Sequence, residues 1–256
     1  MPRTKREKSR TGIYHVIFRG FKEQEIFKDD QDYYKFIQTL KDVKKLSGCE
    51  LYGYCLISNH IHLLIKEGQE SMATMFKRIG VRYVNWYNWK YQRRGQLFQD
   101  RYKCEAVQSS GYFISVLRHI HMNPVKAKLV HSPEGYEYSS YVEYTKIPRL
   151  CDVRNGLEAF HYSHHRAKIL FKEYHMEENR DRCMEYDRGV RWKDDEAAEY
   201  IAEHFGLKMP KEIQQLDGSK RDEILKACRE EGISIRQLER LTGVSYGLIR
   251  KIETVR

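Results

Sequence analysis

The chain has 256 residues, of which 41% are hydrophobic and 32% charged, and its formal net charge is +10. This length allows one well-packed domain and a smaller second one, and the composition excludes a disordered chain. No apolar run approaches the roughly 18 residues of a membrane span, so the sequence predicts a cytoplasmic protein. The six cysteines form no Cys-x-x-Cys pair, which excludes a disulfide framework and a thiolate zinc site.

The positive charge is concentrated in the first part of the chain. Residues 1–148 hold 25 Lys and Arg against 15 Asp and Glu, whereas residues 149–256 hold 21 of each. A basic domain beside a neutral one favours a polyanionic partner, and nucleic acid is the most common such partner. Basicity that serves solubility alone is the alternative.

The first 150 residues alternate between hydrophobic patterns of period 2 and period 3.6. They predict strands and helices in the order β-α-β-β-α-β, with strands at 13–18, 51–57, 60–65 and 102–107 and helices at 31–46 and 71–89. A further helix over 111–122 should stop at Asn123-Pro124, because the residue before proline avoids the helical region. This order predicts an α+β fold, a ferredoxin-like split-βαβ domain with a mostly antiparallel sheet.

Four regions follow from these patterns. We predict a basic N-terminal arm over 1–11, the α+β domain over 12–147, a connector over 148–190 and an all-helical domain over 191–256. The connector carries a predicted polar helix near 165–178, and the sequence assigns it no function.

The final segment has the pattern of a helix-turn-helix over 234–254. Ser234 and Gln237 form a predicted capping box, Gly243 ends the first helix and Ser245 can cap the second. Arg250 and Lys251 would then face duplex DNA from the second helix. A small helical domain that packs only against protein is an equal alternative.

Two His-x-His pairs stand in the first domain, His60-Ile61-His62 and His119-Ile120-His121. In a strand, residues two apart share a face, so the first pair can reach one ion. In a helix they lie about 200° apart, so the second pair cannot share a metal. The helix instead places Asn123 one turn after His119, where it could complete a site with His60 and His62 that leaves positions open for a phosphate oxygen. Nitrogen and oxygen ligands suit Mg²⁺ or Mn²⁺ in the cell, and histidines with a merely structural role are the alternative.

Residues 71–99 contain no acidic residue and combine cations with aromatic rings, the combination that holds single-stranded nucleic acid. The candidate contacts in and near this segment are Arg78, Arg82, Tyr87, Trp89, Lys90, Arg93, Arg94 and Arg101. Arg118 can contact phosphate or pair with acids. His15 shares a strand face with Ile13 and Ile17, which favours a structural role or support of a nearby ligand.

Four motifs in the same order resemble the single-tyrosine HUH transposases, and most closely the REP-associated tyrosine transposases. They cover roughly residues 10–145 and are Tyr14-His15-Val16 with Arg19-Gly20, Ser58-Asn59 before His60-Ile61-His62, the segment 95–101 (GQLFQDR) and the segment 120–127 (IHMNPVKA). The resemblance implies an HUH fold and a DNA transposase. It also implies that His60, His62 and Asn123 bind a divalent cation that polarises a phosphodiester in single-stranded or hairpin DNA.

The nucleophilic tyrosine that the family implies is absent. It is expected one turn before the asparagine, and His119 occupies that position. The domain could be a binder without strand transfer, or an altered variant with blocked chemistry. Alternatively, His119 could attack and form a labile phosphoramidate, or water could hydrolyse the strand. Tyr112 lies near the same helix face but about 10 Å away along the axis, so it could substitute only if the substrate or the helix shifts.

The sequence therefore favours a DNA-processing protein related to transposases, with metal-assisted transesterification impaired or blocked at position 119. The rival interpretation is a non-catalytic DNA-binding regulator derived from a transposase. A monomer is favoured over a dimer, because the C-terminal extension could cover pairing surfaces.

Overall fold

The computed structural model describes residues 7–99, 101–177, 183, 184, 192 and 194–252. The chain divides into two compact units, Met1–Tyr186 and Asp187–Arg256. The first six residues of the predicted N-terminal arm, the end of the predicted helix-turn-helix and most of 178–193 lie outside the described residues. Within the described part, no helix is both long enough and apolar enough to cross a membrane.

The first unit is built on a four-stranded sheet in the order β2-β3-β1-β4. Its strands are β1 (Ile13–Arg19), β2 (Glu50–Ile57), β3 (His60–Lys66) and β4 (Lys103–Val107). Every neighbouring pair is antiparallel, and the tight turn at Ser58-Asn59 joins β2 to β3 with Ile57 opposite His60. The predicted α+β, ferredoxin-like topology is confirmed.

Three long helices cover this sheet, α1 (Asp30–Ser47), α2 (Met72–Lys90) and α3 (Ser110–Lys126). Phe18 of β1 contacts Phe76 of α2, with ring centroids 5.3 Å apart. On β2, Gly53 faces α3 so closely that an added Cβ would lie 2.8 Å from Leu117 Cδ1. Since Gly53 lies beside Leu64, α3 packs on the face of β3 that also carries His60 and His62.

The predicted end of α3 was wrong, because the helix continues through Pro124 to Lys126. Ala127 N donates to Asn123 O at 2.9 Å, and Leu129 N donates to Pro124 O at the same distance. Pro124 is buried. Packing of the proline in the core therefore outweighs the local preference against a helical residue before proline.

The segment predicted as a connector folds onto the first unit. It contains α5 (Val153–Glu158) and α6 (His164–Met176), which follow α4 (Tyr141–Thr145). Leu157 and Phe171 are buried in the same core as the sheet. Short 3₁₀ helices lie at Phe21–Glu23 and Pro133–Gly135.

The second unit contains α7 (Asp194–Phe205), a 3₁₀ helix (Pro210–Gln215), α8 (Gly218–Glu230), α9 (Ile235–Thr242) and α10 (Tyr246–Lys251). Ser234 caps α9 by accepting from Gln237 N, and Gly243 ends it with a φ of 73°. The reciprocal contact of the predicted capping box, between the Gln237 side chain and the Ser234 backbone, was wrong. The Gln237 amide donates instead to Trp192 O and Asp194. The predicted cap at Ser245 also fails, since its side chain makes no capping hydrogen bond.

Candidate metal and DNA site

The Asn123 amide lies between the first histidine pair. Its Oδ1 is 3.3 Å from His60 Nε2, and its Nδ2 is 3.3 Å from His62 Nε2. Strand alternation turns both imidazoles of β3 toward α3, and the uninterrupted helix carries Asn123 over them. The three side chains predicted as metal ligands therefore meet at one place.

His60 is oriented by the residue before it. Its Nδ1 lies 2.7 Å from Asn59 Oδ1, so it donates a proton to that amide oxygen. The lone pair of neutral His60 is then on Nε2, which faces another acceptor, Asn123 Oδ1, at 3.3 Å. Two acceptors that face each other at this distance fit a cation between them, since cis ligands of Mg²⁺ stand roughly 3 Å apart.

His62 is oriented by His15 of β1, whose Nε2 lies 3.0 Å from His62 Nδ1. Burial is the main cause that lowers the pKa of His62 well below 6.5, and neighbouring imidazoles lower it further. Burial and the adjacent His119 lower the pKa of His15 to about 3. Both rings are therefore neutral at pH 7, which is the protonation state that a metal ligand needs.

His119 lies one turn before Asn123 and is only 1% exposed. Its Nε2 is 3.4 Å from Asn123 Nδ2, and its Nδ1 is 3.4 Å from Lys126 Nζ. Its ring packs edge-on against His62, with centroids 5.5 Å apart. The residue at the expected nucleophile position thus lies inside a histidine cluster.

His121 points away from this site, as expected for residues two apart on a helix. It is fully buried, its Nδ1 lies 3.0 Å from His175 Nε2, and its Nε2 lies 2.8 Å from Ser140 Oγ. His175 in turn contacts Phe171 O through Nδ1 at 2.8 Å. The second His-x-His pair therefore divides its rings between two sides of α3, and His121 holds α6 in place.

Tyr112 is poorly suited to replace a nucleophile. Its hydroxyl donates to Glu105 Oε2. Burial and that carboxylate raise the pKa of Tyr112 above its ordinary value of 10. The phenolate that would attack phosphorus is therefore disfavoured.

Two predicted DNA contacts on α2 are structural instead. Tyr87 is fully buried and its hydroxyl donates to Glu25 O at 2.8 Å, so it cannot stack on a base. Lys90 donates to Asp29 at 2.6 Å and to Asp32 at 2.8 Å, with only 16% of its side chain exposed. Both side chains are therefore held by residues of the segment before α1 and of its first turn.

Other cations of α2 are paired with acids. Arg78 makes a two-pronged contact with Glu70 at 2.6 and 2.8 Å, and Arg82 lies 3.5 Å from Asp42. The Arg82 pair is exposed at the surface, where ion pairs are weak and exchangeable.

The end of α2 and the loop after it present the most accessible candidates. Trp89 is 71% exposed, and Arg94 and Arg101 are exposed. Arg93 donates to Gln24 Oε1 at 2.9 Å and to Gln96 O at 3.1 Å. The loop is fixed beside the candidate metal ligands, because Phe98 forms a bridge with Gly20 at the end of β1 where Arg19 pairs with His60.

Arg118 is a packing residue and not a surface contact. It is 5% exposed, its guanidinium lies 3.7 Å from the centre of the Tyr174 ring, and it donates to Tyr174 O at 2.8 Å. The predicted DNA contact is therefore corrected in favour of a contact with α6. In the second unit, Arg250 and Lys251 are exposed on α10.

Sequence reasoning assigned one residue of the site only a structural or supporting role and missed another. His15 was expected to be structural or supporting, and its contact with His62 depends on the pairing of β1 with β3. Lys126 was missed because the helix was expected to end at Met122. Its spacing of seven residues from His119 would have placed both on one face of a longer helix.

Comparisons with known proteins find a matching family model and similar solved structures. The family model described as IS200-like transposase matches residues 8–123. A structure of a REP-associated tyrosine transposase bound to a REP hairpin aligns with a TM-score of 0.50 and 16% identity, over 60% of this chain and 93% of that chain. A protein of Deinococcus radiodurans R1 described as a transposase aligns with a TM-score of 0.34 and 15% identity, over 50% of this chain and 92% of that chain. None of the curated proteins matches significantly.

The family match covers the strand that carries His60 and His62 and the helix α3 as far as Asn123, and the likeness to the first solved structure supports the same fold. The N-terminal domain of this chain therefore matches the IS200-like transposase family over residues 8–123.

Proposed function

We propose that this chain binds single-stranded or hairpin DNA ends and holds a divalent cation at His60, His62 and Asn123, but does not form a covalent bond with the DNA. The observation that carries the proposal is the Asn123 amide, 3.3 Å from the Nε2 atoms of both histidines, on a helix whose nucleophile position is His119. The match to the IS200-like transposase family supports DNA as the partner.

A cation at these ligands, Mg²⁺ or Mn²⁺, supplies Lewis-acid polarisation of a phosphate oxygen. The protein residues orient that site. Asn59 and His15 each engage the Nδ1 of one histidine, which can direct the two Nε2 lone pairs toward Asn123. Trp89 at the end of α2, with Arg94 and Arg101 after it, supplies an aromatic surface and cations for the strand.

Loss of covalent strand transfer follows from position 119. Tyrosine would offer a phenol oxygen for attack, whereas His119 is 1% exposed and contacts Asn123 and Lys126. Tyr112 is hydrogen-bonded to Glu105. These contacts favour a chain that binds DNA without covalent strand transfer over a chain in which another residue replaces the nucleophile. A regulatory role, with Arg250 and Lys251 contacting duplex DNA, is the corresponding alternative to strand processing.

The test is a denaturing-gel assay with Mn²⁺ and labelled single-stranded hairpin DNA from the flanks of the chain's own gene. The natural chain is compared with His119→Tyr, each with and without His60→Ala. We expect the natural chain and His119→Tyr to bind the DNA, and only His119→Tyr to form a covalent adduct that His60→Ala abolishes.

Cleavage by the natural chain that depends on His60 would contradict the proposal. In that case Tyr112→Phe separates attack by Tyr112 from the other routes. Failure of the chain to bind any hairpin from its flanks would also contradict it.

A further inference from the structure

A second group of possible ligands lies behind the proposed DNA site. His15 of β1, His62 of β3 and His119 of α3 are 0%, 3% and 1% exposed. One ring nitrogen from each lies within 4.8 Å of the other two. In the described part of the chain, this is the one group of three His, Cys, Asp or Glu side chains placed closely enough to hold a metal ion.

We propose that His15, His62 and His119 form a separate site for Zn²⁺ or a similar transition-metal ion, bound by three imidazole nitrogens. The site exists because histidine replaces tyrosine at position 119. It shares only His62 with the proposed site at His60, His62 and Asn123 and does not depend on DNA binding or cleavage.

The distances fit this ion with a small adjustment. Zn–N bonds of about 2.0–2.1 Å in a tetrahedral site place ligand nitrogens roughly 3.3 Å apart. His15 Nε2 and His62 Nδ1 already stand 3.0 Å apart. The His119 ring centroid lies 5.7 Å from that of His15 and 5.5 Å from that of His62, and the three ligand nitrogens lie within 4.8 Å of one another, so the site closes when the His119 nitrogen moves inward.

The donor set selects the class of metal. Three imidazoles without a carboxylate suit Zn²⁺, Ni²⁺, Co²⁺ or Cu²⁺, whereas Mg²⁺ requires mostly oxygen ligands. His15 keeps one ring nitrogen unpaired among the described residues. Its Nδ1 is buried without a hydrogen-bond partner, and its Nε2 faces His62.

The two sites compete for His62. A neutral imidazole has one lone pair, on either Nδ1 or Nε2. Nδ1 faces His15, whereas Nε2 faces Asn123. An ion at the three-histidine site therefore removes His62 from the proposed DNA site.

Lys126 opposes the three-histidine site. Its ammonium lies 3.4 Å from His119 Nδ1. A metal on Nδ1 displaces this contact, and a metal on Nε2 leaves a proton on Nδ1 that faces the ammonium. Since Lys126 is exposed, it can rotate away, and its removal should strengthen metal binding.

The experiment titrates the full chain with Co²⁺, read by the visible absorption of tetrahedral cobalt, and then displaces Co²⁺ with Zn²⁺. His119→Phe keeps a ring of similar size but has no ligand atom, and His15→Asn removes the second imidazole. His60→Ala is the matched control, because it damages only the proposed DNA site. Circular dichroism of each metal-free variant verifies folding, and His119→Phe is the decisive variant if His15→Asn does not fold.

We expect one Co²⁺ per natural chain with a tetrahedral spectrum, at least about tenfold weaker binding in His119→Phe, unchanged binding in His60→Ala and tighter binding in Lys126→Met. Equal binding by His119→Phe and the natural chain would overturn the proposal. Loss of the spectrum in His60→Ala would also overturn it and would place the ion at the DNA site. A chain that binds no Co²⁺ overturns it without affecting the proposed function, which rests on Mg²⁺ or Mn²⁺.

Discussion

The two His-x-His pairs have the same spacing, but their rings are arranged differently. On β3, His60 and His62 face one side and both contact the Asn123 amide. On α3, His119 joins that cluster, while His121 turns to the far side and contacts His175 and Ser140. Spacing alone therefore does not define a metal site, because the secondary structure decides whether residues two apart can act together.

Two aromatic residues on α2 show the same contrast between a buried and an exposed side chain, and they give the largest predicted effect on stability. Tyr87 is buried and Trp89, two residues later, is 71% exposed. We expect Tyr87→Ala to lower the free energy of unfolding by about 3–5 kcal/mol, because it leaves a cavity and removes the hydrogen bond to Glu25 O. Trp89→Ala should change it by less than about 0.5 kcal/mol. Chemical denaturation of both variants measures the difference, and equal losses would contradict it.

The second prediction compares one histidine from each pair by its contribution to the free energy of unfolding. His121→Ala should lower the free energy of unfolding by about 3 kcal/mol, because it leaves a cavity and deprives His175 Nε2 of its buried partner. His60 is half-buried, so His60→Ala should cost about 1 kcal/mol or less. Urea unfolding of the two variants is the measurement. A larger loss for His60→Ala would reverse the assignment of the structural role.

The third prediction compares two arginines first considered for DNA contact. Arg118→Ala should lower the free energy of unfolding by about 2 kcal/mol, because it removes the hydrogen bond to Tyr174 O and the contact with the Tyr174 ring. Arg94 is exposed, and Arg94→Ala should leave stability unchanged. Thermal melts compare the two, and an unchanged melting temperature for Arg118→Ala would contradict the packing role.

The smallest predicted effect concerns DNA affinity. Trp89→Ala should weaken binding of single-stranded hairpin DNA about tenfold, because one base–aromatic stack contributes about 1–3 kcal/mol. Fluorescence anisotropy measures this affinity, and His131→Ala, outside the site, serves as the control. Equal affinities of the natural chain and Trp89→Ala would exclude Trp89 from the DNA surface.

Local pattern was sufficient for much of the fold and for the geometry of the candidate ligands. Alternation around Ile61 put His60 and His62 on one face, and helical spacing put Asn123 one turn after His119. Both depend only on residues close in sequence. The turn at Ser58-Asn59 was also evident, because two short apolar runs flank it.

The features that local pattern did not predict depend on distant partners. Lys90 pairs with Asp29 and Asp32, more than 50 residues earlier, and Arg118 packs on Tyr174, 56 residues later. Burial of Pro124 extended α3 past the expected end. A sequence pattern therefore shows only that a basic or aromatic residue is a candidate for DNA contact. Its partners from distant parts of the chain decide whether it is free to make that contact.

The most direct test of the account measures Mn²⁺ affinity by electron paramagnetic resonance in four chains, the natural chain and the variants His60→Ala, Asn123→Ala and His121→Gln. The account predicts that His60→Ala and Asn123→Ala each bind Mn²⁺ at least about tenfold more weakly, while folded His121→Gln binds it as the natural chain does. Mn²⁺ binding that survives both His60→Ala and Asn123→Ala, or that is lost in folded His121→Gln, would contradict the assignment of the cation to the β3 pair and Asn123.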